Sequence, residues 1–244
     1  MKKALSIAIC WSLVLLISSN LQAQKRTITG EGPMVTVDFD LDEFTELAVS
    51  MAAIVTITQG NDQKVTVTGQ RNILDRLSRR VRGETWYIGP DDDRWRMRDY
   101  KRIEVKITMA QLNALAISGS GTVQTTNHFK TNRTFELAIS GSGDAELSLD
   151  AVGFEVSISG SGNAILQGSG NNIEVNIAGS GNLKAADLKV KTCEVNTAGS
   201  GKTEIAVSES LEASLVGSGN VYYQGSPKVR VSSVGSGRVI AMSE

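Results

Sequence analysis

The sequence predicts an all-β fold, a parallel β-helix or β-solenoid whose coils hold about 18–20 residues and turn at Gly-Ser-Gly corners. Three observations predict it. A Gly-Ser-Gly triplet recurs seven times at near-constant spacing, with successive starts 22, 19, 19, 20, 18 and 18 residues apart, and an eighth copy at residues 168–170 lies off this register. Apolar and polar residues alternate on both sides of the triplets, and no helical pattern separates them. The alternative is an antiparallel array of hairpins, which would not require one inward position to recur in every repeat.

Each repeat is predicted to consist of a strand, a triplet corner, a second strand and a return turn. In residues 135–140 (FELAIS) the alternation places Phe135 inward and Glu136 outward, and a second alternation follows the triplet at residues 144–149. Glycine suits the corner because it adopts positive φ without strain and lets adjacent corners approach closely. The predicted corner glycines are Gly119, Gly121, Gly141, Gly143, Gly160, Gly162, Gly179, Gly181, Gly199, Gly201, Gly217, Gly219, Gly235 and Gly237.

The N-terminal half is predicted to be a less regular version of the same solenoid. Residues 47–55 match residues 115–123 position by position, with Met51-Ala52-Ala53 in place of the triplet. Residues 72–82 fit either a short helix or a twisted strand, and the pattern does not choose between them. We expect one domain over residues 24–244, with irregular coils in 25–110 and regular coils in 111–244. Further strand patterns lie at residues 55–57, 65–67, 86–88 and 103–107.

Residues 1–23 have the pattern of a cleaved secretory signal peptide. A basic start (MKK) precedes an apolar run of 14 residues, and Ala23 supplies the small residue expected before the cleavage site. The alternative is a membrane anchor, but the run is shorter than the about 20 residues that span a bilayer. No later run is long enough either. We therefore expect no transmembrane anchor and a mature chain that is periplasmic, on the outer surface or secreted.

Composition excludes several function classes. The 244 residues include 25 Lys+Arg and 26 Asp+Glu, a balance that gives no long-range attraction for nucleic acid. One His and two Cys cannot build a Cys₄, Cys₂His₂ or His₃ zinc site within one chain. A Ser-His-Asp site would have to use His128. We predict no metal and no cofactor, which leaves carboxylate chemistry or no catalysis.

Four ordered segments, together with the signal peptide and the triplets, carry a resemblance to a known family. They are residues 44–49 (FTELAV), 55–60 (VTITQG), 65–69 (VTVTG) and 112–121 (LNALAISGSG). This set resembles the head GIN domain family, described as auto-transporter adhesins, over essentially the whole mature chain. The resemblance implies a right-handed parallel β-solenoid, export to a Gram-negative envelope and an adhesin-like role, with no catalytic residues. Met51-Ala52-Ala53 departs from the pattern and leaves the shape of the first corner open.

The first candidate site is a row of glutamates that stand five residues before successive triplets. In a parallel solenoid they would form an outward line, which Arg230 would continue at the sixth position. An acidic stripe that binds cations or a basic partner is one interpretation. The other is a solubilising row that discourages association between sheets. The row comprises Glu136, Glu155, Glu174, Glu194 and Glu212.

The second candidate site is the segment 90–102, which mixes charged residues with Trp95 and Tyr100. Aromatic side chains beside charges suit contact with a glycan or a peptide. The alternative is a solvated hairpin loop with internal ion pairs. Its run of Asp residues lacks the alternating ligands of an EF-hand loop.

The remaining candidates are the residues that follow the triplets, Cys193 and His128. The residues after the triplets are too varied for regular calcium ladders. Cys193, the only Cys of the expected mature chain, occupies an inward slot and is predicted to be buried and unreactive. His128 is predicted to lie in a surface loop.

The sequence thus predicts a non-enzymatic, adhesin-like binding or scaffold protein of the cell envelope. Its expected partner is a cell-surface protein or glycan, and self-association stays open. One alternative is a carbohydrate-active β-helix, a lyase or hydrolase that would use two neighbouring carboxylates. The other is a purely structural periplasmic protein.

Overall fold

The computed structural model describes residues 26–92 and 94–242, so the predicted signal peptide lies outside the described residues. They form 22 strands and one short helix. The elements are β1 (Arg26–Thr29), β2 (Met34–Phe39), β3 (Glu46–Val49), β4 (Ala53–Gln59), β5 (Lys64–Gln70), α1 (Arg71–Leu74), β6 (Val81–Arg82), β7 (Thr85–Ile88), β8 (Trp95–Arg98), β9 (Ile103–Met109), β10 (Ala114–Gly119), β11 (Thr122–Thr125), β12 (Phe129–Lys130), β13 (Phe135–Gly141), β14 (Asp144–Asp150), β15 (Gly153–Gly160), β16 (Asn163–Ser169), β17 (Asn172–Gly179), β18 (Asn182–Gly199), β19 (Lys202–Gly217), β20 (Asn220–Gln224), β21 (Lys228–Gly235) and β22 (Arg238–Ala241).

The regular coils stack as two columns of parallel strands, which confirms the predicted solenoid. The front column contains β10, β13, β15, β17, the second halves of β18 and β19, and β21. The back column contains β11, β14, β16, the first halves of β18 and β19, then β20 and β22. Each coil crosses from the front to the back column through one Gly-Ser-Gly corner.

Inward side chains of the two columns form one apolar core. Phe135 pairs with Phe154 in register, their rings meet edge to face at 6.4 Å, and both are fully buried. Because side chains alternate between the two faces of a strand, fixing one inward residue per coil fixes the whole coil. The alternation predicted from residues 135–140 is confirmed, with Glu136 exposed between buried neighbours.

The two glycines of a triplet serve different purposes. The first adopts positive φ, as Gly160 does at 115°. The second lies against the preceding corner, and a Cβ placed on Gly162 would stand 2.6 Å from the carbonyl oxygen of Gly143. From the second triplet corner onward, the serine N–H also donates to a glycine carbonyl of the corner below, as Ser161 does to Gly141 at 2.8 Å. Both predicted reasons for glycine therefore hold here.

The irregular coils do not stack in chain order, and not all of their strands are parallel. The coil of β3 and β4 lies between the coil of β7 and β9 and the first regular coil, although it precedes both in sequence. Beyond β9 the back column continues with β5 and then β2, both paired antiparallel. Sequence order and stacking order therefore differ in this region, because the chain reverses after β4 and β5 pairs on the far side of β9.

Residues 72–82 adopt neither of the two predicted alternatives alone. The helix α1 covers one turn, Leu77 forms an isolated bridge with Pro90, and β6 pairs antiparallel with β7. Ile73, Leu74 and Leu77 are buried beneath this segment together with Trp86. The segment therefore covers the apolar core at the N-terminal end of the solenoid.

Candidate functional site

The predicted row of glutamates is assembled on the outer face of the front column. Strand register pairs Glu136 with Glu155, and each following glutamate stands directly opposite the next. Arg230 lies opposite Glu212 and ends the row. Neighbouring strands are separated by about 4.8 Å, so the carboxylates form a closely spaced line of negative charge. We call Glu136, Glu155, Glu174, Glu194 and Glu212 the glutamate row.

A shallow groove runs beside the glutamate row, with a volume of about 590 Å³. It exists because the outward residues nearer the corners are small, so side chains there do not cover the strands. Ala178, Ala198 and Val216 contribute apolar surface, and Val216 is exposed. We call this surface the front groove, lined by Ala138, Ile139, Ser140, Ser157, Ile158, Ser159, Asn176, Ile177, Ala178, Asn196, Thr197, Ala198, Ser214 and Val216.

Two asparagines connect the front groove to the glutamate row. Asn176 donates from Nδ2 to Glu174 at 2.9 Å, and Asn196 donates to Glu194 at 3.2 Å. Asn196 also donates to the side-chain oxygen of Asn176 at 3.2 Å. These bonds hold two carboxylates of the row beside the groove. An apolar trough thus lies next to a fixed line of negative charge.

The segment 90–102 is not the loop that its sequence predicts. Its centre is β8, which pairs in parallel with β1. Trp95 is half-buried, and the Arg76 guanidinium stacks 4.5 Å from its ring centroid. The Tyr100 hydroxyl accepts a hydrogen bond from the Ala52 N–H at 3.2 Å, and burial raises the pKa of Tyr100. Both aromatic residues therefore make structural contacts within the N-terminal end.

One part of the segment 90–102 does border a polar cleft of about 350 Å³. Asp91 and Asp92 line it together with Arg80, Arg82 and Tyr87. An ion pair, as predicted for a solvated loop, is present between Asp92 and Arg94, and its hydrogen bonds lower the pKa of Asp92 to about 2. The cleft is a smaller and more polar surface than the front groove.

Cys193 is buried, and its predicted inward position is confirmed. Desolvation raises the pKa of its thiol to about 12, so the thiolate needed for nucleophilic or metal chemistry does not form at neutral pH. Within residues 26–92 and 94–242, no three His, Cys, Asp or Glu side chains cluster closely enough to hold a metal ion.

His128 makes two side-chain contacts that its sequence position does not predict. Its Nδ1 lies 2.9 Å from Ser148 Oγ, and its Nε2 lies 2.9 Å from Asp150 Oδ2. Ser148 and Asp150 are two residues apart on one strand, so their side chains share a face, which is the signal that could have found the set. The backbone N–H of Ser148 is donated to Thr125, so it does not supply an oxyanion donor. These two contacts attach the connection between β11 and β13 to β14.

Known structures share this fold. The chain is similar to a structure described as a "putative lipid binding protein" from Parabacteroides distasonis, with 27% identity, a TM-score of 0.75, and coverage of 89% of this chain and 100% of that one. It is also similar to a "putative adhesin" from Bacteroides fragilis, with 23% identity, a TM-score of 0.77, and coverage of 88% and 100%. A "putative adhesin" from Parabacteroides merdae has 19% identity, a TM-score of 0.69, and coverage of 89% and 99%.

A comparison with curated proteins finds no significant match to this chain. Among the described residues, no helix combines the length and apolar character needed to cross a membrane. The profile of a family described as "Putative auto-transporter adhesin, head GIN domain" matches residues 43–227, which is more than half of the chain. The resemblance inferred from the ordered segments is therefore confirmed, and the chain belongs to the head GIN domain family.

Proposed function

We propose that this chain is an exported, adhesin-like binding protein of the cell envelope, and that it binds its partner along the front groove and the glutamate row. One observation carries the proposal: an apolar trough runs for several coils beside a line of carboxylates, two of them held by Asn176 and Asn196. The family description and the adhesin-like neighbours support a binding role at the cell surface.

The arrangement fits an extended partner that is apolar on one side and cationic on the other. A segment of a cell-surface protein could lay small apolar side chains in the groove and place Lys or Arg against the row. A glycan bearing amino groups offers related chemistry. Each coil repeats the same contact, so several weak contacts add along the solenoid.

Catalysis is not part of the proposal. A glycosidase needs one carboxyl group held protonated by its surroundings and a second facing the same sugar bond. The members of the glutamate row all lie on an exposed strand face. The family and structural neighbours are described as adhesins or as a lipid binding protein, and those names support binding without reaction.

Lipid binding is a second candidate function, because the front groove is lined mainly by apolar surface. The neighbour with 27% identity is described as a lipid binding protein. An acyl chain would lie along the groove, and the glutamate row would then favour a cationic or neutral headgroup over an anionic one.

A capture experiment tests the proposed surface. The purified chain is applied to a glycan array and to envelope extracts, and the double variant Glu155→Lys with Glu194→Lys is compared with it. Loss of at least tenfold in binding is expected for this variant. The matched control reverses two exposed glutamates of the back column, Glu104→Lys with Glu146→Lys, and should bind normally. Equal binding by all three proteins would refute the glutamate row as the binding surface.

A second variant separates the contribution of the front groove from that of the glutamate row. Ala178→Arg fills the groove without touching a carboxylate, and it should abolish binding to neutral lipid vesicles if lipid is the ligand. Protein binding that persists in this variant would restrict the contact to the glutamate row.

Export is tested by the mass of the protein recovered from the envelope, which should begin at Gln24 if Ala23 precedes the cleavage site.

A further inference from the structure

We propose that the C-terminal end of the solenoid is a self-association surface, on which a second copy of this chain docks end to end about a two-fold axis. The last coil, formed by β21 and β22, differs from every regular coil before it in leaving inward positions uncovered. This inference goes beyond the proposed ligand-binding function and does not depend on it.

The exposed inward positions can be followed down the front column. Cys193 and Leu211 are buried, but Val229, which follows them in register, is 37% exposed. Val195 and Ala213 are buried in the same way, whereas Val231 is 51% exposed. At these two positions the residue type remains that of a core position although the described residues provide no strand to cover it, whereas Ser233 is polar where Leu215 is buried.

The same end presents two open strand edges side by side. Within the described residues, β21 pairs only with β19, and β22 pairs only with β20. Each outer edge carries unpaired N–H and C=O groups, which can extend a sheet into a neighbouring molecule. A single peptide strand would cover one edge alone. A copy of this same end offers two edges at the matching separation.

The other end of the molecule cannot serve as the complementary surface. There the core is covered by α1 and the segment leading to β6, with Leu74, Leu77 and Trp86 buried. Head-to-tail stacking would therefore place exposed core residues against an already covered surface. Two C-terminal ends instead form a closed, isologous pair, which is the commonest symmetry of soluble oligomers.

The sequence of the last coil is compatible with such a pair. A two-fold axis normal to both columns must cross β21 and β22 at equal distances from the corner at Ser236, which places it near Ser232 and Ile240. Antiparallel pairing then sets Arg230 opposite Val234 of the partner subunit. Like charges do not stand directly opposite each other.

The basic residues of the edge distinguish a second copy from an acidic partner. Lys228, Arg230 and Arg238 belong to the last coil, so two copies bring six cations to one interface. Added salt screens their repulsion and should strengthen the dimer. Binding of an acidic partner would instead weaken as salt rises.

Sedimentation velocity over a range of concentrations tests the proposal. A monomer–dimer equilibrium is expected, with tighter association at 0.5 M than at 0.05 M salt. Val231→Asp should weaken the dimer at least tenfold, because it places a charge in the joined core. Val152→Asp, an equally exposed valine in a distant turn, is the matched control and should associate normally. A monomer at all concentrations, an open polymer, or a dimer unaffected by Val231→Asp would overturn the proposal.

A cross-linking variant keeps the test decisive if Val231→Asp fails to fold. Ser232→Cys places a thiol near the predicted axis on an exposed outer face, and oxidation should convert the protein to a disulfide-linked dimer. Ser214→Cys lies opposite it on the adjacent strand, one coil further from the edge, and should stay uncrosslinked. Native Cys193 is buried in both proteins. Equal yields of covalent dimer from the two variants would refute the proposed axis.

Discussion

The corner at residues 51–53 and the triplet corner at residues 160–162 occupy equivalent places in the solenoid, yet they are built differently. Gly160 adopts positive φ, and its coil bonds through backbone groups to the corner beneath it. The corner at 51–53 has no residue with positive φ, and its Ala52 N–H is bonded by the Tyr100 side chain. A corner of this fold can therefore form without glycine when no residue in it adopts positive φ.

Gly119 shows the boundary between the two regions. Its corner stacks on residues 51–53, and a Cβ on Gly119 would be 4.0 Å from the nearest backbone atom, the Ser50 carbonyl oxygen. A Cβ on Gly160 would lie 2.6 Å from the carbonyl oxygen of Gly141. Both glycines have similar positive φ, at 125° and 115°. Comparing substitutions at these two glycines therefore separates the cost of backbone strain from the cost of crowding between coils.

Replacing each glycine by alanine gives the largest expected effect. Gly119→Ala should lower the free energy of unfolding by about 1–3 kcal/mol, since alanine is strained at positive φ. Gly160→Ala should cost about 1–3 kcal/mol more, because the new methyl group also overpacks the backbone of the coil below. Urea unfolding of both variants measures the difference. Equal losses would mean that close stacking does not explain the triplets.

A smaller effect is expected from the side-chain ladder that flanks the triplet corners. Asn182 donates from Nδ2 to Asn163 at 2.9 Å and accepts the Lys202 N–H at 3.2 Å. Asn182→Ala should lower the free energy of unfolding by about 1–2 kcal/mol, because it removes two hydrogen bonds between coils. Lys184→Ala, an exposed residue two positions along the same strand, is the control. Comparable losses in both variants would show that the ladder adds no stability.

The repeated part of this fold was predictable because every coil restates the same information. The inward position of Phe135 is repeated by Phe154 and Cys193, so one correct register fixes the others. The order of the irregular coils had no such repetition. Pairing of β5 with β9 depends on contacts between segments about 40 residues apart, which no local pattern reveals.

The same limit applies to the candidate site. The glutamate row followed from its fixed distance to each triplet, but the groove beside it depends on the small size of several outward residues taken together. The contacts of His128 with Ser148 and Asp150 could not be predicted because they join residues of different coils. The contact of Tyr100 with Ala52 could not be predicted either, because the two residues are far apart in sequence and no local pattern links them.

Tyr100 provides the next test of how the two kinds of corner are held. Tyr100→Phe removes only the hydroxyl that accepts the Ala52 N–H, and it should lower the free energy of unfolding by about 1 kcal/mol. Tyr87→Phe is the control, since that tyrosine is 44% exposed. Amide hydrogen exchange at residues 51–53 should accelerate in the first variant alone. Unchanged exchange would indicate that the corner is held by its packing.

The smallest expected effect concerns a return turn in which side chains also connect neighbouring coils. Asp150 contacts His128 and also accepts a hydrogen bond from Ser169 Oγ at 2.7 Å, and the His128 contact is the main cause that lowers the pKa of Asp150. Because the groups are partly exposed, Asp150→Asn should cost less than about 1 kcal/mol at neutral pH. Glu146→Gln, an exposed carboxylate on the same strand, controls for the loss of charge.

The pH dependence gives this prediction its sign. A carboxyl group whose pKa is lower in the folded protein stabilises it above the unfolded value of about 3.9, and that contribution is lost as pH falls through the folded value. The stability difference between the native chain and Asp150→Asn should therefore shrink as pH falls below about 4. Urea unfolding at a series of pH values measures it. A difference that persisted unchanged at low pH would mean that the carboxylate charge does not contribute, and that Asp150 supports the turn through its shape and neutral hydrogen bonds.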